Sequence, residues 1–197
     1  MKPVALLICG ALGTEVKAIV DARGWDVDIY GVPAMQHFYP KRIVASVERR
    51  LTELSARYRQ VVVVYGDCGT AGALEPVLVK HGALRVRGPH CYEMFAGAAT
   101  FEHLADEQPA TFFLTDWLVR NFERAVVRGL GLDRYPDLKA IYFRNYEGLL
   151  YLVQFPSDAL LEKAREIAQY LQLPLQVRVV GLGELEARLA SLVEAAA

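Results

Sequence analysis

Short continuous apolar runs alternate along the chain with stretches in which apolar residues recur at helical spacing. Residues 4–9 and 61–65 are apolar at every position, which is typical of strands buried on both faces of a parallel sheet. Shorter apolar segments predict further strands at 26–30, 84–87, 111–114, 149–155 and 175–180. Helical spacing predicts helices between them, most clearly over 43–58, 158–171 and 184–195.

Strand followed by helix, repeated along the chain, predicts βαβ units. We therefore expect an α/β fold with a mostly parallel, doubly wound sheet and helices on both faces. The last strand and helix predict a βαβ-like elaboration at the C-terminal end. A single domain over residues 1–197 is expected, and the Gly- and Pro-rich connection near 129–138 is the candidate sub-domain boundary.

Composition and charge restrict the classes of protein to consider. Hydrophobic residues make up 53% of the chain, which excludes disorder as the main state. The 22 Lys and Arg balance 23 Asp and Glu, so the basic face of a nucleic-acid binder is not expected. The uncharged run 3–14 is shorter than the roughly 20 residues that span a bilayer and lacks a signal-peptide plan. We expect a cytoplasmic protein that binds neither membrane nor nucleic acid.

Residues with ligand chemistry cluster at the predicted carboxyl ends of the strands, where open α/β sheets bind ligands. All three cysteines and two of the four histidines follow predicted strands, in the order Cys9, His37, Cys68, His90 and Cys91. Thiolates and imidazoles are the usual protein ligands of Zn²⁺, and thiolates hold iron–sulfur clusters. The leading hypothesis is therefore a metal site formed by the three cysteines with His37 as fourth ligand. His90 is the alternative to His37, and a [4Fe–4S] cluster is the alternative to Zn²⁺.

Two other interpretations of the same residues remain open. Cys68 is a candidate nucleophile with His37 or His90 as its base, although the carboxylate of Asp67 would raise the pKa of the thiol. Cys9 would then be a core residue, as free cysteines often are. The third reading is a non-catalytic module that binds a partner protein or a small ligand.

Three glycines and an arginine are candidates for binding a cofactor or an anion. Gly10, Gly66 and Gly69 would let a ligand approach the backbone, and the alternative is that they form tight turns. Arg87 is a candidate for an anionic ligand, or else lies with Arg85 on the solvent face of an edge strand. Motifs of nucleotide-binding loops, zinc proteases, serine hydrolases and corrinoid carriers are absent from the sequence.

The sequence resembles a widespread prokaryotic family known only as a domain of unknown function. The resemblance is carried by Cys9-Gly10, by His37 three residues before a proline, by the segment YGDCG at 65–69 and by His90-Cys91, and it extends from about residue 4 to 180. Members are often encoded beside corrinoid proteins and methyltetrahydrofolate or methylamine methyltransferases. The resemblance implies a role in one-carbon methyl transfer, as an enzyme or as an accessory to a corrinoid or methyltransferase partner. It points to the cysteines and His37 as site residues.

Overall fold

The computed structural model describes residues 2–196. Its strands are β1 Lys2–Cys9, β2 Asp28–Val32, β3 Tyr58–Val64, β4 Leu84–Arg85, β5 Thr111–Thr115, β6 Gly148–Val153 and β7 Leu175–Val179. Its α-helices are α1 Gly13–Arg23, α2 Pro40–Ser55, α3 Leu74–His81, α4 Cys91–Ala96, α5 Ala98–Glu107, α6 Asp116–Phe122, α7 Leu138–Phe143, α8 Asp158–Leu171 and α9 Gly183–Ala196. Short 3₁₀ helices span Gly10–Leu12 and Ala34–Phe38, and a π-helical segment spans Glu123–Arg128.

The described chain divides into two compact units, each with its own parallel sheet. The first unit comprises the chain up to Met94 together with the C-terminal segment that begins at Glu184. The second unit comprises the chain from Phe95 to Gly183. The predicted α/β fold with parallel strands and flanking helices is confirmed, although the strands form two sheets rather than one. The predicted boundary near 129–138 lies inside the second unit. A single domain stays a prediction, because compact units of one chain need not fold separately.

The sheet of the first unit has the order β2-β1-β3-β4, and its pairs are parallel within the described residues. Strands β1 and β3 are central, with Leu7 opposite Val63. Both side chains are fully buried, which explains why these two strands are continuous apolar runs in the sequence. From β1 the chain moves first to β2 on one side and then across to β3 on the other. The strand order therefore reverses between β1 and β3.

The helices of the first unit cover this sheet with their apolar faces. Helix α1 ends at Gly24, whose φ of 63° is the left-handed conformation that commonly terminates helices. Helix α2 packs against α3, and its Val47 and Leu51 are fully buried. Leu185 of α9 is also fully buried, so the leucine stripe of the last helix covers the protein's own core.

The second unit is built on the order β5-β6-β7, in which parallel strands follow one another in sequence. Asp116, at the start of α6, is fully buried and accepts hydrogen bonds from the Tyr151 hydroxyl at 2.7 Å and the backbone amides of Gln154 and Phe155 at 3.1 and 2.9 Å. These donors satisfy the carboxylate, so Asp116 joins strand and helix ends as a structural residue.

Some elements differ from the sequence prediction. Helices α4 and α5 lie in a region without a predicted element, because their apolar residues are interrupted by Gly97. Helix α6 gives way at Glu123 to a π-helical segment rather than continuing as an α-helix. Within residues 2–196, no helix combines the length and the apolar character needed to cross a membrane.

Candidate functional site

The carboxyl ends of β1 and β3 meet where the strand order reverses, which is where open α/β sheets place their ligands. Cys9 is the last residue of β1, and Cys68 lies in the turn that follows β3. Cys9 is 4% exposed, and its Sγ accepts a hydrogen bond from the amide of Ala11 at 3.4 Å. The thiol therefore caps the short 3₁₀ helix that begins at Gly10 and points into the protein.

The turn that carries Cys68 is held by Asp67. The Asp67 carboxylate accepts hydrogen bonds from the Thr70 hydroxyl at 2.8 Å and from the amides of Ala71 and Gly72 at 3.0 and 2.8 Å. These hydrogen bonds lower the pKa of Asp67, and the bond from the Gly72 amide has the largest effect. Cys68 itself has a φ of 48°, which is uncommon for a residue with a side chain. The backbone that carries this thiol is therefore strained, and such strain is often found at functional sites.

The turns after β3 and β4 are bonded to each other, and this brings Cys91 towards Cys68. The amide of Cys68 donates to the carbonyl of Pro89 at 2.9 Å. A Cβ on Gly66 would lie 2.7 Å from the Cα of His90, so only glycine permits this approach. Cys91 follows directly as the first residue of α4.

The three thiols share one electrostatic neighbourhood, and all of them are poor acids. Burial raises the pKa of Cys9 to about 11. Burial raises that of Cys68 to about 12, with the charges of Cys9 and Asp67 adding to the effect and that of Arg85 opposing it. Cys91 keeps some exposed surface, yet burial of its thiol and the charges of Cys68 and Cys9 raise its pKa well above the ordinary value. At neutral pH all three thiols are therefore protonated.

Two buried polar residues, Tyr65 and Glu15, complete the cluster, and sequence reasoning missed both as site residues. Tyr65 is fully buried, and its hydroxyl has no well-directed hydrogen bond to any described residue. Burial raises its pKa, and charges at the three cysteines act in the same direction. Glu15, 1% exposed in the first turn of α1, lies close enough to raise the pKa of Cys9 and Cys91. Its sequence signal is the spacing of four residues from the buried Ile19, which puts both on one helix face.

The two candidate histidines have different local roles. The ring of His37 stacks on that of Tyr65, with centroids 5.6 Å apart, and its Nδ1 donates to the carbonyl of Ala34 at 2.6 Å. This bond leaves a lone pair on Nε2, the arrangement usual for a metal-ligating histidine. The Nδ1 of His90 instead accepts from the amide of Glu93 at 3.4 Å, so its proton is on Nε2. His90 therefore caps the start of α4, and burial lowers its pKa.

The glycines and arginines predicted to bind a cofactor have structural explanations or lie elsewhere than expected. A Cβ on Gly10 would lie 3.0 Å from the carbonyl oxygen of Val32, and Gly69 has a φ of 81°, so both are needed by the backbone. Arg87 is exposed, as expected for the solvent face of an edge strand. For Arg85 that expectation is wrong, because its side chain is only 14% exposed and is paired with Glu75. Glu75, in the first turn of α3, is the residue that pairs with it.

The distances within the cluster are not those of a closed coordination shell. In the part of the chain that the structure describes, no three His, Cys, Asp or Glu side chains are arranged to hold a metal ion. What the fold brings together is three neutral thiols, an imidazole nitrogen with a lone pair, a carboxylate and a tyrosine hydroxyl that lies beside the Cys9 thiol. Metal coordination by the thiols would therefore require these side chains to rearrange.

Fold and site together define an α/β protein with a buried cluster of three cysteines at the switch point of a parallel sheet. The chain belongs to the family described as "Protein of unknown function (DUF1638)", which it matches over residues 32–189. His37, Cys68 and Cys91 lie inside the matched segment, whereas Cys9 and Glu15 precede it. No curated protein and no solved structure matches the chain.

Proposed function

We propose that this protein binds one metal ion, Zn²⁺ in the first instance, through Cys9, Cys68 and Cys91, with His37 as the fourth ligand. The observation that carries the proposal is the burial of three mutually interacting thiols at one switch point. Packing alone rarely requires three sulfur atoms beside one buried tyrosine hydroxyl, whose partner here is the Cys9 thiol. Three thiolates and an imidazole are a complete tetrahedral set for zinc.

The protonation of the thiols favours a metal over a metal-free cysteine enzyme. A cysteine nucleophile needs a lowered pKa, whereas burial raises that of Cys68 to about 12. Helix α3 begins only at Leu74, so its N-terminus does not adjoin the Cys68 thiol. A bound cation removes this obstacle, because coordination deprotonates a thiol outright.

The proposed chemistry is methyl transfer in the cytoplasm, as a zinc enzyme or as an accessory to a corrinoid or methyltransferase partner. Support for this part comes from the family resemblance in the sequence, and from the fact that a thiolate held by zinc remains a nucleophile at neutral pH. If His37 leaves the metal when substrate arrives, three thiolates and one open position remain, as in catalytic zinc sites. A [4Fe–4S] cluster held by the same three thiols is the alternative cofactor.

The deciding experiment is the metal content and visible spectrum of the full chain purified without oxygen, beside Cys68→Ala. The matched control is His103→Gln, which alters an exposed histidine of the second unit that pairs with Glu107. We expect near-stoichiometric zinc in the wild-type protein and the control, and loss in Cys68→Ala. Iron with visible colour would select the cluster instead of zinc. Absence of metal from the wild-type protein, even after incubation with zinc or with iron and sulfide, would overturn the proposal.

Proton release provides an independent test of the ligand set. Because all three thiols are protonated at neutral pH, binding of one zinc ion should release about three protons. The release can be measured with a pH indicator in weakly buffered solution, and it should fall by about one proton in each single cysteine variant that still binds zinc. Release of fewer than two protons by the wild-type protein would mean that the thiols do not form the site.

A further inference from the structure

We propose that Arg85 binds a carboxylate group of the molecule that reaches the cysteine cluster, so that the site takes a small carboxylic acid. The Nη2 of Arg85 is paired with the Oε1 of Glu75 at 2.6 Å. Its Nε and Nη1 are shielded from solvent and have no hydrogen-bond partner among the described residues. The inference rests on the proposed function in one respect, namely that the bound acid reacts at the metal site.

The position of Arg85 in the sheet directs it to this site rather than to bulk solvent. It lies on β4 opposite Val63, two residues before Tyr65 on the neighbouring strand. The charge of its guanidinium reaches both Asp67 and Cys68, where it favours the ionised forms. The arginine thus lies beside the turn that carries the central thiol.

Unbonded guanidinium donors at such a place are costly unless a ligand uses them. A buried donor without a partner destabilises the folded protein, and more so when it belongs to a charged group. The nearest carboxylate of the turn, Asp67, is already occupied by the hydroxyl of Thr70 and two backbone amides. Glu75 is 55% exposed and is paired with Nη2 of the guanidinium. The Nε and Nη1 donors of Arg85 therefore have no acceptor among the described residues, and a bound carboxylate would supply one.

The surrounding charges favour a carboxylate over a phosphate. Arg85 is the cation that acts on this turn, and Asp67 and Glu75 both place negative charge beside it. A carboxylate adds one negative charge beside Asp67 and Glu75, whereas a phosphate dianion adds two and is repelled more strongly. Each open nitrogen of the guanidinium can donate one charge-assisted hydrogen bond to a carboxylate oxygen.

The test is a titration of the full-length protein with sodium acetate and with sodium phosphate, against sodium chloride at matched ionic strength. Binding is followed by calorimetry and by the Nε–H resonance of Arg85, in metal-free and in zinc-loaded protein. We expect acetate to shift this resonance and to bind more tightly than phosphate. Arg85→Gln should weaken acetate binding about tenfold or more, since a charge-assisted hydrogen bond is lost. Arg50→Gln, an exposed arginine paired with Glu53, is the matched control and should leave binding unchanged.

The variants distinguish recognition from a structural role of Arg85. If Arg85 is kept for a ligand, Arg85→Gln should be as stable as the wild-type protein or more so, because it removes unbonded buried donors. Arg85→Lys keeps the charge and should retain part of the acetate affinity. A strong loss of stability in Arg85→Gln without any acetate response in the wild-type protein would overturn the inference, as would tighter binding of phosphate, or loss of acetate binding in Arg87→Gln alone.

The metal-free arm separates this inference from the proposed function. Acetate binding through Arg85 in a protein that never takes up zinc would support the proposed carboxylate site and refute the proposed metal centre. Zinc uptake without an acetate response in either form would retain the metal centre and refute the role of Arg85.

Discussion

The imidazole of His37 lies nearly parallel to the ring of Tyr65, with 19° between the two planes. His37 belongs to the 3₁₀ helix after β2, and Tyr65 follows the end of β3, so the stack joins two strands that are not neighbours in the sheet. It covers the fully buried tyrosine with an exposed histidine whose Nε2 keeps its lone pair. His37 is therefore placed to bind from the solvent side of the cluster.

Replacement of His37 tests this placement. We expect His37→Gln to weaken zinc binding by at least about 10–100-fold, the loss seen when only the residues that support a metal ligand are changed. The measurement is a competition titration with a zinc chelator. His90→Gln is the control, and because His90 caps α4 it should reduce stability while leaving zinc affinity within a few-fold of wild type. Equal zinc affinity in His37→Gln and wild type would remove His37 from the ligand set.

Removal of the Tyr65 hydroxyl should stabilise the metal-free protein. In that form the buried hydroxyl has only the Cys9 thiol, a weak partner, beside it, so Tyr65→Phe should raise the free energy of unfolding by about 1 kcal/mol at most. Tyr151→Phe is the matched control, because the Tyr151 hydroxyl donates to Asp116 at 2.7 Å and its loss should destabilise by about 1–2 kcal/mol. Urea unfolding of the three proteins measures both effects. A destabilised Tyr65→Phe would mean that water or a rearranged thiol satisfies the hydroxyl.

Alkaline pH should destabilise the metal-free protein through its buried thiols. Burial raises the pKa of Cys9 to about 11, so between the ordinary thiol pKa near 9 and that value the folded protein keeps a proton that the unfolded chain releases. The stability is therefore complete below pH 9 and falls as the pH rises. Cys9 alone should account for about 2 kcal/mol between about pH 8 and pH 10.5.

Comparison with Cys9→Ala isolates this contribution from other titrating groups. Urea unfolding across the alkaline range should show a smaller loss of stability in the variant than in the wild-type protein. Parallel losses in the two proteins would show that the Cys9 thiol is not held neutral by burial.

Close approach of the turns after β3 and β4 makes Gly66 sensitive to any side chain. We expect Gly66→Ala to destabilise by about 1–3 kcal/mol and to weaken zinc binding, because a Cβ would displace the backbone of His90 beside Cys91. Gly13→Ala is the control, since its Cβ would meet no described atom within 4 Å and alanine favours helix α1. Thermal unfolding and the zinc titration measure both effects. An undisturbed zinc affinity in Gly66→Ala would mean that the two turns are not coupled.

Much of this architecture could be predicted from residue patterns, and the failures have physical causes. Strands β1 and β3 can be recognised in the sequence because both of their faces are buried, which makes nearly every position apolar. Arg85 was expected on the solvent face because alternation with Leu84 and Val86 indicates a half-exposed strand. The structure instead shields Arg85 and pairs it with Glu75 of α3, and alternation along a strand carries no information about what packs over it.

The sequence by itself determined the parallel α/β class and the position of each cysteine at or after the end of a strand, because hydrophobic periodicity is a local property. Only the tertiary structure decided that the strands form two sheets, that Tyr65 and Glu15 are buried beside the thiols, and that His37 rather than His90 keeps a free nitrogen. Those facts depend on which turns contact one another across the sheet. Such contacts between residues distant in sequence leave no periodic trace along the chain.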